Sequence, residues 1–291
     1  MLIVAPALLV AALLSLVSAV VIGLASAVWT ELRPATTSAE GAVALPDQRA
    51  STSLGSIAHA AVALGLALLV AALMLRAVVT GHAPWSNMYE FNQAFAAAIL
   101  AGYLGLEHRL PIRALAPLVA VPAAGLVAFS LTLPAEVVPL PPALQTPFFL
   151  TVHVGSAMLA YGIAAIAGAA AVGELMQRWR GDRLAWLPAA AVCRVAAYRS
   201  VVLGMPVLTL AIVLGAVWAN MAWRSYWNND PKELAAATTW LVYAAYLHLA
   251  GRRDYWGASA PWFLLAGFGA VLFTYLAANL VIPGQHSYSG I

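Results

Sequence analysis

Six histidines occur in the 291-residue chain: His59, His82, His108, His153, His248 and His286. Imidazole is a common nitrogen ligand for haem iron and other transition metals, and it coordinates through its unprotonated nitrogen. A second constellation is the run WANMAWRSYWNNDPKE, Trp218 to Glu233, in which Trp218, Trp223, Tyr226 and Trp227 fall close together. Between them stand Asn220, Arg224, Asn228, Asn229, Asp230, Lys232 and Glu233. Alone, such a run reads as an aromatic belt that anchors helix ends among lipid headgroups. With amides and charges interleaved, it also offers flat apolar contacts for a planar macrocycle and Arg or Lys for that ligand's carboxylates. Asp230 before Pro231 has a simpler use as N-cap and first residue of a helix, and the two uses are compatible. A third segment, Ala83 to Phe91 (APWSNMYEF), carries Ser86 and Asn87 as alternative helix caps. The single cysteine, Cys193, excludes a disulfide, a Cys-x-x-Cys redox pair or a cysteine-rich metal site within these residues.

The elements that position these groups must be membrane helices. Apolar residues make up 63% of the chain and Asp, Glu, Lys and Arg only 9%, against roughly 25% charged in a soluble domain. That excludes a water-soluble enzyme. The formal charge of +3 resides in loops, without the basic patch interleaved with aromatics that nucleic acid requires. At about 20 apolar residues per span, the apolar runs predict an all-α polytopic membrane protein of about eight transmembrane helices. They run over Leu2 to Trp29, Ile57 to Val79, Met88 to Leu106, Leu115 to Leu133, Phe148 to Leu175, Val201 to Met221, Leu234 to Leu249 and Trp262 to Ile282. Each is helical because lipid offers no partner to an unpaired backbone group, and interiors rich in Ala and Gly allow close packing. The first run lacks the basic start of a secretory signal and is too long for its apolar region. No internal repeat or soluble domain is visible.

Lys and Arg are retained on the cytoplasmic side of a membrane, and alternate loops divide them unequally. One side holds 11: Arg33, Arg49, Arg109, Arg113, Arg178, Arg180, Arg183, Arg194, Arg199, Arg252 and Arg253. The other holds 3: Arg76, Arg224 and Lys232. Both termini are then expected outside, and the basic loop between spans five and six in the cytoplasm. Three segments share the outer surface: Pro84 to Glu90, Trp218 to Glu233 and the tail after Pro283. His153 joins them at the outer start of span five, so His153 and His286 can share one external ligand. His248 lies about 17 residues along span seven from Pro231, roughly 25 Å deeper at 1.5 Å per residue. If it ligates anything, it belongs to a second site, which His59 near the inner end of span two could face. His82 and His108, beside turn and charged residues in short loops, read as surface residues. Polar and aromatic residues converging on one face of a membrane bundle point to a bound ligand.

On these residues the chain resembles the CcsA (also called ResC) family of cytochrome c biogenesis proteins, within the larger haem-handling group marked by a tryptophan-rich external motif. The resemblance covers most of the chain after about Ile57. The family's motif is similar to W-A-N-E-A-W-G-x-Y-W-x-W-D-P-K-E and stands here from Trp218 to Glu233. P-x-S-N-M-Y-E stands at Pro84 to Glu90, H-V-G-S-A-M-L-A-Y-G opens with His153, Y-L-H ends at His248, and H-S-Y begins at His286. The departures are Asn229 at the motif's last Trp, Met221 at an acidic position and Arg224 at a small one.

The resemblance implies a haem-handling subunit of a holocytochrome c synthase. His153 and His286 would be the external axial ligands of haem b, beside Trp218, Trp223, Trp227 and Asp230, with Arg224 pairing a propionate. His248 would ligate a transmembrane haem whose other ligand comes from a ResB-type companion subunit. Haem would move from the inner site to the outer face and be presented to apocytochrome c, whose Cys-x-x-Cys-His thiols add across the vinyl groups. That role needs axial ligation and orientation, with no catalytic acid or nucleophile from this chain. The implied partners are that companion, apocytochrome c and the lipid bilayer, with no nucleic acid. The implied location is a bacterial cytoplasmic or thylakoid-type membrane, with the active site on its outer, extracytoplasmic face. Residues 1–56 would form the first span and a cytoplasmic loop, and residues 57–291 the haem-handling domain with its external loop 218–233. The alternatives are a CcmC-like presenter that loads a haem chaperone, against which eight spans rather than six argue, and a membrane b-type cytochrome or an organic anion transporter. Facing histidine pairs at one depth, or broken helices in inverted repeats, would mark the last two, and neither pattern is evident.

Overall fold

The computed structural model describes residues 4–32, 48–250, 259–277, 282 and 284–286. Among these every regular element is helical, as a chain surrounded by lipid requires. The helices are α1 (Val4–Leu32), α2 (Gln48–Thr80), α3 (Met88–Glu107), α4 (Ala116–Ser130), α5 (Pro147–Arg180), α6 (Ala190–Trp223), α7 (Pro231–Ala250) and α8 (Ala260–Leu272). The last runs into a π-helical turn, Phe273–Ala277. One helix falls in each expected span. By length and composition, α1, α2, α5, α6 and the stretch Arg113–Ser130 that includes α4 are long and apolar enough to cross a membrane.

Helices α5 and α6 run further than the hydropathy pattern. α6 begins at Ala190 rather than Val201, and α5 ends at Arg180 rather than Leu175. The charges that end an apolar run need not end a helix when they are paired. Glu174, buried on α5, accepts from Arg178 one turn on (2.5 Å) and from Arg194 of α6 (2.9 Å). The chain leaves α5 only at Gly181, whose left-handed backbone (φ 64°) terminates helices readily. Arg33, Arg252 and Arg253 of the orientation count lie outside the described residues, as do Leu2 of the first expected span and Ser287 and Tyr288 of the C-terminal motif.

α1 pairs with α2 and α5 with α6; α4 packs on α1 and α3 on α5, while α7 and α8 lie together against α6 and α5. Small residues permit this closeness. A Cβ on Gly162 of α5 would stand 2.6 Å from the backbone of Ala98 on α3, so the two helices meet backbone to backbone. The outward faces are apolar: Leu14, Leu24, Met74, Val78 and Val213 are each more than half exposed, as lipid-facing side chains are.

A paired polar network lies inside. Glu90, fully buried, accepts from Arg76 Nε and from the N–H and Oγ of Ser86, each at 2.8 Å. Arg76 donates in turn to the carbonyls of Ala135 (2.6 Å) and Glu136 (3.1 Å). Asn87, not Ser86, caps α3: its Oδ1 accepts from the Glu90 N–H at 3.0 Å. The segment Ala83 to Phe91 is therefore a clamp that ties α2, the start of α3 and the connection after α4, and it sets Phe91 beside the site described next.

Candidate functional site

The site is built where α6 ends and α7 begins. Asp230 caps α7, with Oδ2 accepting from the Lys232 N–H at 3.1 Å and Pro231 at the first helical position. Glu233 reaches back, its Oε2 accepting from the N–H groups of Asp230 (3.2 Å) and Asn228 (2.7 Å). This reciprocal arrangement fixes how the chain enters the helix. Arg224 and Asn229 both have left-handed backbone (φ 61° and 56°), a conformation Asn tolerates better than most residues. Asn229 Oδ1 also accepts from the Trp227 indole N–H at 2.9 Å. The residue that departs from the tryptophan pattern thus makes the turn and holds its neighbouring Trp.

Asp230 reaches the C-terminal segment as well. Its Oδ1 accepts from the Gln285 N–H at 2.6 Å, and its Oδ2 lies 2.8 Å from His286 Nδ1. Burial pushes the Asp230 carboxyl up, but the hydrogen bond and charge of His286, with the Lys232 and Gln285 amides, outweigh it and hold the group down to about 2. Burial holds His286 below its ordinary value, with the Asp230 hydrogen bond opposing. At neutral pH the pair is therefore a carboxylate and a neutral imidazole whose Nδ1–H donates. Nε2 then carries the lone pair, as in metal-ligating histidines whose other ring nitrogen is held by a carboxylate.

His153, on the second turn of α5, receives the same treatment from a backbone group. Its Nδ1 donates to the Ala211 carbonyl of α6 at 2.9 Å, which again leaves the lone pair on Nε2. The ring lies against α6 because residue 215 is glycine: a Cβ there would stand 2.7 Å from His153 Cε1.

The two imidazoles meet at Trp218. The His153 ring stacks on the indole (centroids 5.9 Å apart, planes 20°), and His286 approaches it at 5.6 Å and 47°. Trp223 packs edge-on against both Trp218 (4.8 Å) and His286 (5.0 Å), separations at which aromatic pairs attract. The Trp218 N–H donates to the Ala143 carbonyl at 3.0 Å, locking the central ring.

Beside this cluster lies a largely apolar cavity of about 160 Å³, against roughly 10–15 Å³ for a single water, so the space is of ligand scale. His153, His286, Trp218 and Trp227 line it, with Phe91, Tyr161, Tyr275 and Lys232 on its other walls. Among the described residues, no three His, Cys, Asp or Glu side chains group to hold a metal ion. A metal between the two imidazoles would have to bring equatorial ligands of its own, as a metalated macrocycle does.

The residues singled out by sequence thus fall into three places. His153, His286, Trp218 and Trp227 share the cavity; Trp223 backs Trp218 and His286, and Asp230 acts through His286. Arg224 is exposed at the end of α6, outside the lining and in no ion pair among the described residues. His248 stands apart on an exposed face of α7. His59 is brought to Glu107, Nδ1 lying 2.9 Å from Oε2 at an angle poor for a hydrogen bond, with Tyr103 nearby. Sequence reasoning offered Lys232 as one of the cations for a ligand's carboxylates without placing it on the wall, and did not single out Tyr161 or Tyr275. The signal for Lys232 was available: the Asp230–Pro231 cap starts α7, and Lys232 and Ala236 then share one face a turn apart, both lining the cavity. Tyr161 stands within the H-V-G-S-A-M-L-A-Y-G run that opens with His153; no motif marks Tyr275.

The family described as Cytochrome C assembly protein matches this chain over residues 5–286. The cytochrome c biogenesis protein CcsA of Picosynechococcus sp. is 31% identical, over 85% of this chain and 91% of its own length. CcsA of Synechococcus elongatus is 33% identical over 84% of this chain and 90% of its own. CcsA of Chlamydomonas reinhardtii is 35% identical over 81% and 70% respectively.

Proposed function

The chain belongs to the cytochrome c assembly protein family, an integral membrane protein of cytochrome c biogenesis, and on that premise we propose that its cavity holds haem b and presents it to apocytochrome c. The observation that carries this reading is the pair His153 and His286, each with Nδ1 engaged and both lining one cavity walled by Trp218 and Trp227. Two imidazoles that line one largely apolar space with Nε2 left unprotonated suit axial ligation of a haem. Trp218, Trp227 and Phe91 offer flat surfaces to the macrocycle, Trp223 supports them, and Asp230 fixes the tautomer of His286.

The bound haem supplies its vinyl groups. A cysteine S–H of the Cys-x-x-Cys-His motif adds across each C=C, forming one C–S and one C–H bond with nothing leaving. This chain contributes orientation and axial ligation, and its apolar wall excludes water; no acid or nucleophile is required of it. The same proposal places the cavity on the extracytoplasmic face of an eight-span bundle with both termini outside, the haem-handling part being residues 57–291. It makes His248 the ligand of a deeper haem completed by a ResB-type companion. Exposure of His248 on α7 supports this, since a ligand shared with another subunit must stand at the surface.

The test is the absorption spectrum, oxidised and reduced, of the protein purified in detergent with its companion, beside a His153→Ala, His286→Ala double variant. Bis-imidazole haem b bands that fade in the variant are the expected result. A colourless wild-type complex, or bands indifferent to the double substitution, overturns the proposal.

A further inference from the structure

We propose that Lys232 anchors a carboxylate of the cavity's ligand and so decides which edge of that ligand faces the α3–α7 wall; this rests on the reading of the cavity as a haem site. Lys232 lines the same cavity as His153 and His286, its Nζ lying 6.0 Å over the Phe91 ring. It pairs with no carboxylate within salt-bridge distance among the described residues, and the two acids beside it are committed elsewhere. Asp230 accepts from His286, Gln285 and the Lys232 backbone, and Glu233 accepts from the Asn228 and Asp230 amides. Glu233 lines the same cavity and the Asp230 charge acts on Lys232, but neither carboxylate pairs with the ammonium directly; at an apolar wall a direct partner offsets the cost of the charge, and the ligand's carboxylate supplies it. Arg224, the other nearby cation, is exposed outside the lining.

Haem carries both carboxylates on one edge and its vinyls on the opposite side. Pairing one propionate with Lys232 holds the acidic edge beside Phe91 and turns the reactive edge away from α7. Lys232 is in this sense a positioning residue.

The probes are haem and its dimethyl ester, which keeps iron, ring and vinyls but lacks the charges. Each is titrated spectroscopically into the haem-depleted protein with its companion, as wild type, Lys232→Met and Lys232→Arg. A charge-assisted hydrogen bond corresponds to about tenfold or more in affinity, so wild type should prefer the diacid by that factor. Lys232→Met should bind both probes alike, and Lys232→Arg should restore the preference. Equal binding of diacid and ester by wild type, or a preference that survives in Lys232→Met, overturns the assignment while bis-imidazole bands still uphold the haem site. Absence of those bands with either probe overturns both.

Discussion

Asp230 does two things with one carboxylate, and replacing it by asparagine separates them. It caps α7 through the Lys232 N–H (3.1 Å), and it receives the Gln285 N–H (2.6 Å) and His286 Nδ1–H (2.8 Å) from the tail. Asparagine caps a helix as well as aspartate does, so α7 keeps its start. The amide has one acceptor oxygen where the carboxylate has two, so three donors compete for it and at least one tail contact is lost. Removing the outer-shell partner of a ligating histidine typically costs 10–100-fold in metal affinity, about 1.4–2.7 kcal/mol. The hydrogen bond to a charged group, taken by itself, gives about 1.5–3 kcal/mol, and the two figures agree. The assay is the rate at which haem passes from the purified protein to an excess of a haem-scavenging protein, followed in the bis-imidazole bands. Asp230→Asn should lose haem 10–100-fold faster, and in a His286→Ala background it should add little, because the carboxylate acts through that ring. An undiminished effect with His286 absent refutes the reasoning, since Asp230 would then touch the ligand itself; so does wild-type retention by the single variant.

Three further outcomes follow from the same geometry. Gly215→Ala places a methyl 2.7 Å from His153 Cε1, which displaces the ring at a cost of about 1–3 kcal/mol and should reduce haem retention to the level of His153→Ala. Glu90→Ala strands the Arg76 guanidinium inside the bundle and should destabilise the fold by about 3–5 kcal/mol, read as a lowered thermal midpoint in detergent, with Glu90→Gln milder. Acid should act through His286, whose folded value lies below its ordinary one. The neutral ring's contribution is then complete above about pH 6.5 and is lost as the pH falls from there toward the folded value, whereas Asp230 stays ionised down to about 2. Haem retention measured spectroscopically should be level from about pH 8 to 6.5 and decline below, without the His286 contribution to that decline in His286→Ala.

The helical membrane class and the approximate limits of the helices were legible because hydrocarbon thickness sets the length of an apolar run. The extra turns of α5 and α6 were not: hydropathy stops at Glu174 and Arg178, while the helix continues once those charges pair. That His153 and His286 belong together was legible from counting spans, since the start of span five and the end of span eight fall on one side of an eight-span bundle. Which loop cation lines the cavity was hidden. Arg224 and Lys232 are alike in charge and lie in one polar run, but the left-handed residue that ends α6 is Arg224 itself, while Lys232 sits on the first turn of α7. That decision rests on caps and backbone dihedrals, which a residue pattern indicates only indirectly.

The placement of the site at helix ends follows from what lipid allows. In the middle of a span the backbone groups bond to one another, and a polar side chain there must find a partner or pay desolvation. At the start of α7 the amides are still unspent, and Asp230 uses them to become a buried acceptor that can hold a second segment. Residues 285 and 286 dock on that acceptor, while α6 supplies the recess at Gly215 for His153 and, less than a turn later, Trp218 in contact with both imidazoles. The hydrogen bonds that start α7 are therefore continuous with those that orient His286. A ligand bound through His286 must then stabilise the docked tail by its own binding free energy, and any change that loosens the tail from Asp230 must weaken the ligand by the same amount. The C-terminal segment is thus half of the site rather than an appendage to it.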